Sequence, residues 1–400
     1  MTRPTFKYTF AAVTLALILS GCGGDGSQSL RFADQDESSP RSTTAVITAV
    51  SSDFASGQVE LLEVADGPMS TSRGFNQTIS DIVVSTHESS YFLIERFGAD
   101  RISRIDADNL SLPQWQYSTV DSADDGSSNP AKLIIASEQK GYLLRYGSNE
   151  AWIVDPSTRR EDAFKLGVLD LSDYVADNAD GSGFGNNVPN MIDAVISNGQ
   201  LFIALQRLDS NFSASNTSYV AVFDVSTDTE IDTGKGENGL RGIPLNGRNP
   251  NSIQALPGGD LAVVSEGFEP FMGDIQFTGG IDLIGDDFSV TALTSDSADS
   301  GRSVGLAVID NNQGLLRISR GFDSNSVVRI NLATGERGDT LGDLQQRPLR
   351  DIAIGPDQRL WVADAAPSNP AIRRYDVTSG EQFDVTATEL LPQGIGFINE

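Results

Sequence analysis

The feature that most constrains this chain is a strand-like segment that recurs seven times. Each copy is an entry residue, often proline, followed three or four positions later by an aliphatic run. Five copies carry the proline: Pro130-Ala-Lys-Leu-Ile-Ile, Pro189-Asn-Met-Ile-Asp-Ala-Val-Ile, Pro250-Asn-Ser-Ile-Gln-Ala-Leu, Pro348-Leu-Arg-Asp-Ile-Ala-Ile and Pro392-Gln-Gly-Ile-Gly-Phe-Ile. Thr78-Ile-Ser-Asp-Ile-Val-Val and Ser303-Val-Gly-Leu-Ala-Val-Ile lack it. Between the runs lie Gly, Asn, Asp, Ser and Pro clusters, so the chain alternates strand and turn signals. A spacing of roughly 44 to 61 residues is that of propeller blades. Leu166–Asp177 is the best candidate for a short helical turn.

A second element follows the first six copies: an aliphatic strand, a short polar loop, another strand, and an Asp or Asn turn. Tyr91–Asp106, Tyr142–Asp155 and Leu316–Asn331 are clear examples. Ala333-Thr-Gly-Glu336 and Val377-Thr-Ser-Gly-Glu381 supply the following turn. Together these segments resemble the YVTN-type repeat of seven-bladed β-propellers of the YncE-like kind, over residues 45–400. The resemblance implies an all-β, seven-bladed propeller. The last copy, Pro392–Ile398, has no partner strands after it, whereas Ala45–Val50 and Val59–Val64 form a second and third strand without a first. Three N-terminal strands plus one C-terminal strand would therefore complete the seventh blade and remove the open edges.

The amino-terminal stretch carries a different signal. Arg3 and Lys7 precede an apolar run from Phe10 to Leu19, which ends in Leu19-Ser20-Gly21-Cys22. A positive start, a short apolar segment and a small-residue site read as a secretory signal. Cysteine at the cut makes it similar to a bacterial lipoprotein signal. The resulting division is a signal peptide over 1–21, lipidated Cys22 with a flexible tether over 22–43, and a propeller over 44–400. Gly23, in place of the aspartate of inner-membrane retention, favours the outer membrane. Cys22 is the only cysteine and His87 the only histidine, which excludes multi-histidine zinc sites and disfavours a Ser-His-Asp triad. With 28 basic and 55 acidic residues, the net charge is −27. Such a surface repels nucleic acid and favours a soluble, monomeric domain.

In a propeller the loop after each second strand and the loop entering each first strand share one face around the channel. The ends of the second strands read Arg96-Phe97, Arg145-Tyr146, Arg207-Leu208, Glu266-Gly267-Phe268, Arg320-Gly321-Phe322, Asp364 and Asp53-Phe54. Arginine offers bidentate donors to carboxylate or phosphate and stacks on aromatic faces. Arg96, Phe97, Arg145, Tyr146, Arg207, Phe268, Arg320 and Phe322 are thus candidate ligand-binding residues, with structural pairing of each arginine as the alternative. The starts of the first strands add Asp81, Lys132, Asn190, Asp193, Asn251, Gln254, Arg350 and Asp351. Asp177–Gly183 has the alternating oxygen side chains and glycine turn of a calcium loop, although Ala176 and Asn187 stand where an EF-hand has its first and last ligands. Calcium is therefore the candidate cofactor. Two functions fit: a lipid-anchored module that captures a small molecule or docks to an outer-membrane transporter, and a metal-dependent lactonase working in the channel.

Overall fold

A computed structural model describes residues 43–399 apart from 68, 75–77, 123, 125, 177–186 and 271–272. The proposed signal, Cys22, the tether up to residue 42 and the candidate calcium loop lie outside the described residues. The seven recurring segments become the first strands of seven antiparallel sheets. They are Ile82–His87 in blade 1, Pro130–Ser137 in blade 2, Met191–Ser197 in blade 3 and Pro250–Ala255 in blade 4. Arg302–Val308, Leu349–Ile354 and Leu391–Asn399 begin blades 5, 6 and 7. Each first strand touches that of the next blade, and the seventh touches the first, so the ring is closed around a central channel.

The second strands are short and buried on both sides, as in Ser90–Glu95 and Leu261–Ser265. A continuous apolar run suits that position, because each face packs on a neighbouring blade. The core is accordingly divided into seven main clusters, one between each pair of blades.

Blade 7 closes the circle as its two sequence halves require. Leu391–Asn399 pairs with Thr43–Val50, which pairs with Gly57–Glu63 and then Ser72–Arg73. Buried Glu60 accepts the backbone N–H groups of Glu389 and Leu390. Arg374, fully buried in blade 6, donates to the carbonyls of Ala65 and Gly67 at 2.8 and 2.7 Å while pairing with Asp384.

Leu166–Asp177 departs from the helical expectation. Lys165–Asp170 is a strand paired with Glu150–Val154, and only Ser172–Tyr174 forms a single 3-10 turn. Pairing to the blade edge outweighs a weak local preference.

Six first strands begin with a β-bulge. The ladder skips one residue there: Ala131, Ile192, Asn251, Val304, Arg350 and Gln393 in blades 2 to 7. A bulge re-aims side chains where a strand meets a functional cavity. It sets which residues reach the channel.

Candidate functional site

Two neighbouring cavities, of about 480 and 380 Å³, occupy the channel and share Lys132, Asp193, Asn251, Asp351 and Ile395. The four polar members stand at or immediately after a bulge. Asp193 Oδ1 accepts the Ala194 N–H at 2.8 Å and pairs with Lys132; Oδ2 accepts the Ile253 N–H of the next blade at 3.0 Å. Asp351 repeats the device, accepting Ile352 N–H at 2.8 Å and Ile395 N–H of the next blade at 2.9 Å. Burial pushes the Asp351 carboxyl up, against the pull of those N–H groups and of Arg317 and Lys132. These carboxylates tie first strands together at the waist of the channel. Among the described residues no three His, Cys, Asp or Glu side chains gather as a metal site would need. Each oxygen of the waist carboxylates already accepts one N–H group, so both residues serve as blade ties.

A second ring lies at the mouth. In five blades the first residue past the second strand donates its N–H to the carbonyl of the residue leading into the first strand. Arg96 reaches Asp81, Tyr146 reaches Asn129, Gln206 reaches Asn190, Glu266 reaches Asn249, and Ala365 reaches Pro348, all at 2.9–3.0 Å. Two of them, Tyr146 and Gln206, are joined side chain to side chain. Tyr146 Oη donates to Gln206 Oε1 at 2.8 Å, and Gln206 Nε2 donates to the Pro250 carbonyl at 3.0 Å. Burial lifts the Tyr146 phenol to about 12, with the Arg96 charge opposing and that of Glu266 assisting. A residue of blade 2 that feels both blade 1 and blade 4 marks side chains converging towards the axis.

Glu266 differs from the waist carboxylates. Its side chain makes no hydrogen bond among the described residues, and its ion-pair partner is Arg302 at 3.9 Å. Arg302 is buried and also pairs with Glu269. Burial raises the Glu266 carboxyl above its ordinary range, opposed by Arg302 and then Arg317. Glu266 is thus a carboxyl with open acceptor positions and strengthened basicity beside a guanidinium. Such a group can take a proton from water.

The structure does not bring the eight candidate residues together. Arg96 lines the 380 Å³ cavity, 3.5 Å from Asp81, and Tyr146 stands next to it in the mouth ring. Phe97 projects outward, 68% exposed. Arg145 lies one rung earlier, opposite Pro130. It is fully buried, paired with Asp124, bonded to the Thr119 carbonyl and Ser148 Oγ at 3.0 Å, and 4.4 Å from the Trp152 ring centre. Arg207 lies one position later with φ +52° and donates to the carbonyls of Tyr174 and Thr217 at 2.8 Å. Arg320 is exposed and donates to the Asp299 carbonyl at 2.6 Å. Phe268 pairs with Gln276 inside its own loop. Phe322 is exposed, with the Arg350 guanidinium 4.1 Å from its ring centre. Only Arg96 of the four arginines stands in the ring: Arg145 and Arg207 are each one position out of register, and Arg320, in register, turns its N–H to the Ser324 carbonyl instead. Gln206 and Arg302 escaped the sequence reading because their neighbours belong to other blades, and Arg317 because its place depends on the ladder opposite it.

No family model matches the chain, and no curated protein matches its sequence. Solved structures match over most of its length. A candidate 6-phosphogluconolactonase from Bacteroides uniformis aligns with a TM-score of 0.60 at 11% identity, covering 89% of this chain and 99% of that one. The periplasmic gluconolactonase PpgL of Pseudomonas aeruginosa aligns at 0.59 and 12%, covering 89% and 99%. AztD of Citrobacter koseri aligns at 0.50 and 14%, covering 90% and 98%. At such identities the likeness is one of fold, and that fold is the seven-bladed β-propeller.

Proposed function

We propose that this protein hydrolyses a small polar lactone at the mouth of its central channel. The observation that carries the reading is the uncommitted, partly exposed carboxyl of Glu266 beside Arg302, with Arg96 and Tyr146 on the same ring. In the reaction Glu266 removes a proton from water, and the oxygen attacks the lactone carbonyl. Arg96 and Arg302 stabilise the oxyanion that forms. The ring C–O bond then breaks, its oxygen takes the proton back from Glu266, and a hydroxy acid leaves. Lactonase names among proteins of the same fold support the reaction class. The test is acid release from glucono-δ-lactone and from its 6-phosphate by the purified full chain, activity on either one counting. Hydrolysis that disappears in Glu266→Gln supports the assignment; an inactive wild type, or an equally active variant, overturns it.

Capture without turnover is a second reading, favoured by one observation: the waist carboxylates are engaged as blade ties. It would have the propeller hold its ligand for an outer-membrane partner. Both readings place the protein in the cell envelope, anchored by lipid on Cys22, and PpgL is itself periplasmic. Incorporation of labelled palmitate that is lost in Cys22→Ser would support the anchor, and labelling that persists would remove it.

A further inference from the structure

One cation of the channel wall is placed unlike the others. The second-strand residue opposite the bulge is Leu144, Ala204, Val264 or Ala363 in blades 2, 3, 4 and 6, and Thr48 in blade 7. In blade 5 it is Arg317, paired with Gly305. A charge at one copy of an otherwise neutral rung serves that blade and not the repeat. Gly305 provides the room, since a Cβ there would stand 3.3 Å from Arg317 Nε and 3.7 Å from Nη2. Across this bare stretch of backbone the guanidinium reaches the wall of the 480 Å³ cavity, together with Lys132, Asn251 and Asp351.

Its partners are all neutral. Nη1 donates to Asn325 Oδ1 and the Leu349 carbonyl at 3.2 Å, Nη2 donates to the Val304 carbonyl at 2.7 Å, and buried Nε has no acceptor. The other cations of the channel each have a carboxylate within 4 Å: Asp193 for Lys132, Asp81 for Arg96 and Asp323 for Arg350. Removing a charge from water without a direct counter-charge is unfavourable, and burial holds this guanidinium below the usual arginine range. Asp351 and Glu266 act on it only through space; an anionic group entering the cavity would supply the direct pairing that they do not.

We propose that Arg317 is the anion anchor of the channel, binding a carboxylate or phosphoryl group of the molecule that enters. This rests on the lactone reading above and narrows its substrates to negatively charged members. The guanidinium fork suits either oxyanion.

The test is calorimetric titration of the full chain with gluconate, 6-phosphogluconate and neutral glucose. At least one acid should bind ten times more tightly than glucose; tighter gluconate identifies the carboxylate, tighter 6-phosphogluconate the phosphoryl group. Arg317→Gln should lose that preference at least tenfold, and Arg317→Lys should recover part of it. Gly305→Ala, which keeps the guanidinium but crowds it, should also weaken the acid, and it decides the matter if Arg317→Gln does not fold. The proposal is overturned if no acid binds, if glucose binds equally well, or if folded Arg317→Gln and Gly305→Ala bind as wild type does. Acid binding without lactone turnover would sink the hydrolase reading and leave the anchor. Turnover with no preference for charge would sink the anchor alone.

Discussion

The body of the blades and the mouth of the channel use the same residue types to opposite ends. Arg145, inside a blade, has nearly every donor engaged by its own fold, and Asp351, deeper in the channel than the mouth, has both oxygens tied to backbone N–H groups. Arg96 has a single carboxylate at 3.5 Å, and Glu266 has one cation at 3.9 Å. Residue type therefore does not separate structural from functional charge here; the number of partners already satisfied does. Variants in the body should cost stability, and variants at the mouth should cost activity.

The sharpest break of this contrast is Arg145→Ala. It leaves the buried Asp124 carboxylate without its partner, and urea denaturation should show a loss of about 3–5 kcal/mol. Arg96→Ala, by contrast, should stay within about 1 kcal/mol of wild type, as exposed pairs do. Glu266→Gln should cut lactone turnover by about 10²-fold or more while its melting curve stays close to wild type. A parallel fall in stability would move Glu266 into the structural class. Asp351→Ala strands the N–H groups of Ile352 and Ile395 and should cost about 1–3 kcal/mol for each one left unsatisfied. An unchanged midpoint would mean that water replaces the carboxylate.

The pH profile gives a finer reading. The base must be unprotonated, and burial raises Glu266, so turnover should fall on the acid side at a pH above the ordinary carboxylate range. Because Arg302 holds that pKa down, Arg302→Gln should move the acid limb to still higher pH. A limb that stays in place would show that another group acts as the base. Tyr146→Phe should give the smallest effect. Losing the bond to Gln206 should lower stability by about 0.5–1.5 kcal/mol, with a few-fold change in turnover.

The contrast also explains what the sequence could reveal. Seven blades, their first strands and the split seventh blade were legible because each depends on local apolar runs and turns that recur. The ring at the mouth was not, because its membership turns on register. In a ladder of period two, one position carries a side chain from one face to the other. Arg145 and Arg96 look alike in sequence, yet one is sealed beside Trp152 and the other lines a cavity. Bulges add further offsets that no spacing rule exposes. Glu266 stood in the sequence-derived ring but lacked distinction, because its open oxygens are a property of its surroundings. Arg317 became legible only when Gly305 was seen across the ladder.

The seam in blade 7 has a consequence for timing. Gly394 and Ile395 of Leu391–Asn399 line the 380 Å³ cavity, and Ile395 also completes the waist through Asp351. The pocket therefore has no complete wall until that strand, which follows all the other described strands in the chain, docks against Thr43–Val50, which precedes them. Assembly of the ring and acquisition of a binding site are one event. A chain whose last strand has not docked lacks a complete cavity wall.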